Sequence, residues 1–122
     1  MKIAIPVNDK SVEASVCDSF GRTPYYLIYD TESKESIFLD NSAVASQGGA
    51  GIKAAQTVVD NKVNALLTPR CGENAAEVIK AANIQLYKTI NDSIKDNIDA
   101  LNEGKLSLLE DIHPGFHGHG GR

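Results

Sequence analysis

Two cysteines, Cys17 and Cys71, are the soft donors of this 122-residue chain, and each has a cation close by in sequence. Phe20-Gly21-Arg22 follows Cys17, and Arg70 directly precedes Cys71, with Gly72 behind it. Thiolates suit iron or copper held with sulfide. Guanidinium groups supply charge and planar donors for an anion. A third glycine-rich stretch, Gly48-Gly49-Ala50-Gly51, lets backbone approach a guest closely. All three histidines, His113, His117 and His119, lie within seven residues of one another near the C-terminus. Such a tract binds divalent metals, but without a rigid frame its affinity is modest and unselective.

The elements that must position these residues can be read from hydrophobic periodicity. Ile3, Ile5 and Val7 alternate with Lys2, Ala4 and Pro6, which predicts a first strand. Tyr25 to Tyr29 is rich in β-formers, and a polar turn leads into a third strand at Ser36 to Leu39. From Ile52 the period becomes helical, with Ile52, Ala55, Val58 and Val59 on one face. Ala65 to Thr68 reads as a short buried strand, followed by a tight loop through Arg70, Cys71 and Gly72. A second helix opens at Glu73, a fifth strand spans Ile84 to Tyr87, and a third helix runs from about Asp92 to near Gly104. The expected order is β-β-β-α-β-α-β-α, an α/β chain.

Two hairpins followed by two crossovers predict a mixed sheet of five strands in order 3-2-1-4-5, strand 2 antiparallel, in a ribonuclease-H-like layout. In that layout the loop after strand 1, carrying Cys17, and the loop after strand 4, carrying Cys71, reach one rim beside the reversal of strand order. Ligands of open α/β sheets bind at such a rim. Arg22, the glycines and two helix N-termini gather there too, a setting for an anion. Positive surroundings of this kind lower a thiol's pKa.

The segments Lys2 to Val7, Ser19-Phe20-Gly21-Arg22 through Asp30, Gly72 to Ala75 and Ala82 to Tyr87 together resemble the dinitrogenase iron-molybdenum cofactor biosynthesis family. The resemblance covers about residues 1 to 105, and the Phe-Gly-Arg segment is its most specific part. It implies a ribonuclease-H-like fold and the binding, storage or delivery of a metal-sulfur cofactor, an iron-sulfur cluster or one like the iron-molybdenum cofactor. Relatives often carry a histidine immediately before Phe-Gly-Arg; Ser19 stands there in this chain. Cys17, two residues earlier, is then the nearest soft donor. Asn83 replaces a typical glycine, a substitution that a left-handed helix end tolerates.

The expected cofactor-binding set is Cys17, Ser19, Arg22, Gly48, Gly49, Gly51, Arg70, Cys71 and Gly72. The expected metal donors are Cys17, Cys71, His113, His117 and His119. Residues 1–109 are expected to form one cofactor-binding domain, and residues 110–122 a flexible Gly/His-rich tail. Phe20 is expected to plug the core and fix its loop.

A net charge of −4 speaks against a general nucleic-acid binder, and no apolar run approaches the ~20 residues that cross a bilayer. The N-terminus lacks the pattern of a signal peptide, so a cytoplasmic setting is expected. Strand 1 carries no carboxylate for a two-metal nuclease, and the clustering of histidines leaves no Ser-His-Asp set. A binding protein rather than an enzyme is therefore expected, with a cofactor-assembly or acceptor protein as its partner. The alternative is a partner-binding or redox-regulatory module that holds no cluster.

Overall fold

A computed structural model of the chain describes residues 1–41 and 49–109. Its elements follow the expected order: β1 (Lys2–Val7), β2 (Tyr25–Asp30), β3 (Ser36–Asp40), α1 (Ala50–Asp60), β4 (Ala65–Thr68), α2 (Glu73–Ala81), β5 (Gln85–Lys88) and α3 (Ile94–Asn102). The five strands form one sheet in the order β3-β2-β1-β4-β5. β2 is antiparallel to both β1 and β3, whereas β4 is parallel to β1 and to β5. This is the mixed sheet expected from two hairpins and two crossovers.

Alternation along the central strands builds two cores. Ala4 of β1, Tyr26 and Ile28 of β2, Leu66 of β4 and Leu86 of β5 face α1 and α2. Ile3, Ile5 and Val7, Leu27, Ala65 and Leu67 face the other way, toward Ile94, Ile98 and Leu101 of α3. The period of two in each strand sends successive side chains to opposite faces, and helices cover both. Residues Ile3 to Val7 of β1 are buried, as a strand flanked on both edges requires.

Helix boundaries depart from the periodicity by a residue or two. α1 starts at Ala50 rather than Ile52, because Gly49 takes a left-handed backbone (φ 70°) and the small Ala50 is buried against the core. Asn83 also adopts a left-handed conformation (φ 63°) and turns the end of α2 toward β5, as its identity allowed. The outer edge of β5 is lined by residues 107–109: the Lys88 amide donates to the Ser107 carbonyl and the Leu109 amide to the Leu86 carbonyl. Among the described residues, no helix is long and apolar enough to cross a membrane.

Candidate functional site

β1 and β4 lie side by side and run parallel, yet the chain leaves β1 toward β2 and leaves β4 toward β5. Their C-terminal ends therefore flank the reversal of strand order, where the departing loops separate and leave a crevice. A cleft of about 430 Å³ opens there. Among the described residues, three pieces of chain wall it: Asp18 to Gly21 from the loop after β1, Gly49 to Ile52 at the start of α1, and Arg70 to Ala75 spanning the β4–α2 loop and the first residues of α2.

Each wall has a local cause. Gly49 caps α1 with no side-chain hydrogen bond, and Gly72 caps α2 in extended backbone, again with none. The first-turn N–H groups of both helices, Ala50 to Ile52 and Glu73 to Ala75, thus have no partner within their own helix. With 11 and 9 residues, the helices point the positive ends of their dipoles at the cleft. The third wall is a turn tied down from several sides. The Arg22 amide donates to Ser19 Oγ (3.1 Å). The buried Tyr26 hydroxyl donates to the Phe20 carbonyl, and the two rings pack with centroids 5.4 Å apart. Thr23 Oγ1 donates to the Val7 carbonyl (2.8 Å), and Asn41 Nδ2 donates to the carbonyls of Gly21 (3.0 Å) and Thr23 (2.8 Å).

Of the expected site residues, Ser19, Gly49, Gly51, Arg70, Cys71 and Gly72 line the cleft. Cys17 and Arg22 do not line it; they flank the Asp18–Gly21 wall on either side. Gly48, His113, His117 and His119 lie outside the described residues. Burial is the main cause that raises the pKa of the Tyr26 hydroxyl, and the charge of either thiol, once ionised, adds to it. Phe20 is 3% exposed and plugs the core as expected.

The charge at the thiols differs from the expectation. Cys71 is 2% exposed, and burial pushes its pKa up to about 11, with Lys80 pulling the other way. Positive surroundings were expected to lower it. The side chain, however, stands within the apolar core shared by α1, α2 and Tyr26, and loss of water outweighs the pull of Lys80. Asp18 and Glu73 also line the cleft, so its wall carries both signs of charge. Among the described residues, no three His, Cys, Asp or Glu side chains converge as a metal-ion set. The cleft lining thus combines Arg70 and the buried Cys71 with polar side chains from Ser19 and Asn74 and with backbone amides.

Sequence reasoning missed Thr23, Tyr26 and Asn41. They secure the turn around the Asp18–Gly21 wall through tertiary hydrogen bonds that leave no signature in the spacing of the sequence.

A profile of the family described as dinitrogenase iron-molybdenum cofactor matches residues 1–104. An uncharacterized protein of Methanocaldococcus jannaschii is 30% identical over 113 residues, covering 90% of this chain and 92% of its own. The NMR structure of a NifB-like Thermotoga protein, assigned to the DUF35 family, superposes with a TM-score of 0.77 at 36% identity, over 88% of this chain and 92% of that one. The apo form of the orange protein from Desulfovibrio gigas shares the fold with a TM-score of 0.85 at 22% identity, over 89% and 92% of the two chains. Since the matched region takes in the sheet, the three helices of the described residues and every described wall of the cleft, the chain belongs to the dinitrogenase iron-molybdenum cofactor family.

Proposed function

We propose that this protein is a carrier that takes a preassembled, anionic metal-sulfur cluster into the cleft and passes it to a cofactor-assembly or acceptor protein, without catalysing a reaction on it. The cluster is cargo, either an iron-sulfur cluster or one like the iron-molybdenum cofactor. The observation that carries this reading is Cys71, a soft donor in the wall of a cleft that two helix starts also line. The cleft's volume lies within the ~300–1,000 Å³ range of small-ligand sites.

The chemistry of the walls fits such a guest. Backbone N–H groups at the starts of α1 and α2 and the guanidinium of Arg70 offer hydrogen bonds and positive potential to sulfide or thiolate ligands. The apolar side chains of Phe20, Ile52 and Ala75 line the same space and favour a weakly hydrated guest over a small hard anion. Cys71 supplies a bond to metal once its proton leaves. Cys17, just beyond the Asp18 wall, is the second candidate ligand, and Arg22 adds charge from the rim. The family adds independent support, because its name ties it to the iron-molybdenum cofactor.

Anaerobic reconstitution with iron and sulfide, and separately with tetrathiomolybdate, tests the reading. Uptake is followed by visible absorption and by metal and sulfide content. The parent is expected to retain metal and sulfide together after gel filtration, and Cys71→Ser to retain markedly less. Parent protein that emerges with neither would sink the proposal. Equal loading of parent and Cys17→Ser/Cys71→Ser would remove both thiols from the site and leave the amides and arginines as its binding groups.

A further inference from the structure

The cleft's walls are tied together by contacts within the protein, and one set of them starts at Asn41. This residue closes β3 and is 4% exposed. Its backbone N–H donates to the Pro24 carbonyl (3.0 Å), which continues the β2–β3 ladder by one step. Its side-chain Nδ2 donates to the carbonyls of Gly21 and Thr23, at 3.0 and 2.8 Å. A carboxamide nitrogen has two hydrogens, so each carbonyl can receive its own.

Gly21 is where that grip is felt across the cleft. A β-carbon on Gly21 would lie 3.2 Å from Gly51 Cα and 3.3 Å from Gly51 N. The turn after Cys17 and the first residues of α1 therefore touch backbone to backbone, at a point where both line the cleft. We propose that Asn41 is a positioning residue of the cleft: its buried carboxamide holds the Ser19–Arg22 turn against the start of α1 and thereby fixes the spacing of these two walls. The functional readout of this assignment rests on the carrier reading above; its structural readout does not.

The fold supplies its own control. Asn97 is also a fully buried carboxamide that ties a loop to its element. Its Nδ2 donates to the carbonyls of Asn91 (2.9 Å) and Ser93 (2.7 Å), and its Oδ1 accepts from the Ile90 amide (2.8 Å). The loop that it holds, between β5 and α3, does not line the cleft. Asn97→Ala thus removes buried hydrogen bonds of the same kind, at a loop that meets the Cys17 segment through Ser15 and Val16 but contributes no residue to the cleft lining.

The experiment compares the full-length parent, Asn41→Ala, Asn41→Ser and Asn97→Ala. Ser keeps a donor and serves if the alanine variant fails to fold. Tetrathiomolybdate, a compact dianion of molybdenum and sulfide, is titrated into each and followed by its visible spectrum, beside a thermal melt. Backbone amide resonances of Gly51 and Ile52, on the far side of the contact, are recorded without the probe. The expected result is at least tenfold weaker binding by the Asn41 variants and shifted Gly51 and Ile52 resonances. Asn97→Ala should bind within about twofold of the parent, however far its melting point drops. Loss of affinity that merely follows the melting point across all variants would overturn the assignment, as would unmoved Gly51 and Ile52 resonances in the Asn41 variants. A parent that ignores tetrathiomolybdate counts against the carrier reading, and the resonances then decide the role of Asn41 alone.

Discussion

Gly21 and Gly51 meet without side chains between them, the would-be β-carbon of one lying 3.2 Å from the α-carbon of the other. Nothing in the backbone of Gly21 demands glycine, since its φ is not in the left-handed region. The requirement is one of space. Gly21→Ala is therefore expected to push two backbones apart by a few tenths of an ångström and to cost about 1–3 kcal/mol, the usual penalty of overpacking. Gly72→Ala offers the contrast, because a β-carbon there meets nothing within 4 Å. Urea unfolding should show a clear loss for the first and under about 1 kcal/mol for the second, whose weaker helix cap is offset by a less flexible unfolded chain. Equal losses would mean that the two walls are not in contact in solution.

Tyr26 should behave unlike an ordinary surface tyrosine. Its hydroxyl is buried and donates to the Phe20 carbonyl, so Tyr26→Phe leaves that carbonyl without its partner. The expected cost is about 1–3 kcal/mol, the penalty for stranding a buried polar group. Tyr87→Phe removes a bond to the Gln85 side chain in exposed surroundings and should cost little. Chemical denaturation of the two variants side by side checks the difference.

How far sequence reaches is visible in these residues. The strand order follows from period: apolar alternation in β1 and β2, a compact apolar β4, and the shift to helical spacing after Ile52 leave few topologies. Cys71 was legible as a rim residue because it follows β4 directly, and a short loop has little room to wander. Cys17 was placed on the right rim but not outside the cleft wall, because the long segment from Asn8 to Pro24 takes its path from tertiary bridges. Two of these, Val7 with Val16 and Ser15 with Ser93, have no signature in spacing. The burial of Cys71 was equally hidden. An arginine next to a cysteine suggests a positive setting, while the packing of α1, α2 and Tyr26 that removes water is set by residues far away in sequence.

The two thiols should react at very different rates. Cys71 is 2% exposed with its pKa pushed up to about 11, whereas Cys17 is half-buried. At pH 8 a thiol of that kind is only about one part in a thousand thiolate, the reactive form. Iodoacetamide is expected to label Cys17 first, with Cys71 slower by at least tenfold in native protein and comparable to it in urea. Mass spectrometry of tryptic peptides after timed quenching measures both rates. Labelling of Cys71 as fast as Cys17 in native protein would contradict its burial.

The same burial predicts how stability responds to alkali. An ordinary thiol, with a pKa of 9.0, begins to lose its proton near that pH in the unfolded chain, while folded Cys71 keeps its proton until about pH 11. Between those values the unfolded state binds fewer protons than the folded one, so stability falls as pH rises; below pH 9 the contribution is fully present. Two units of separation at ~1.4 kcal/mol each place the full loss on the order of 3 kcal/mol. Cys71→Ala deletes the titrating group and should remove this part of the decline. Tyr26, whose pKa is raised first by burial and then by Cys71, adds a loss that starts near its own ordinary value of 10.0 and, because burial is the main cause, is largely shared by both proteins. The informative quantity is therefore the difference between the urea stabilities of parent and variant at pH 8, 9, 10 and 11. That difference should shift steadily against the parent from pH 9 upward. A flat difference across the four values would show that the Cys71 thiol ionises as readily in the folded protein as in the unfolded chain.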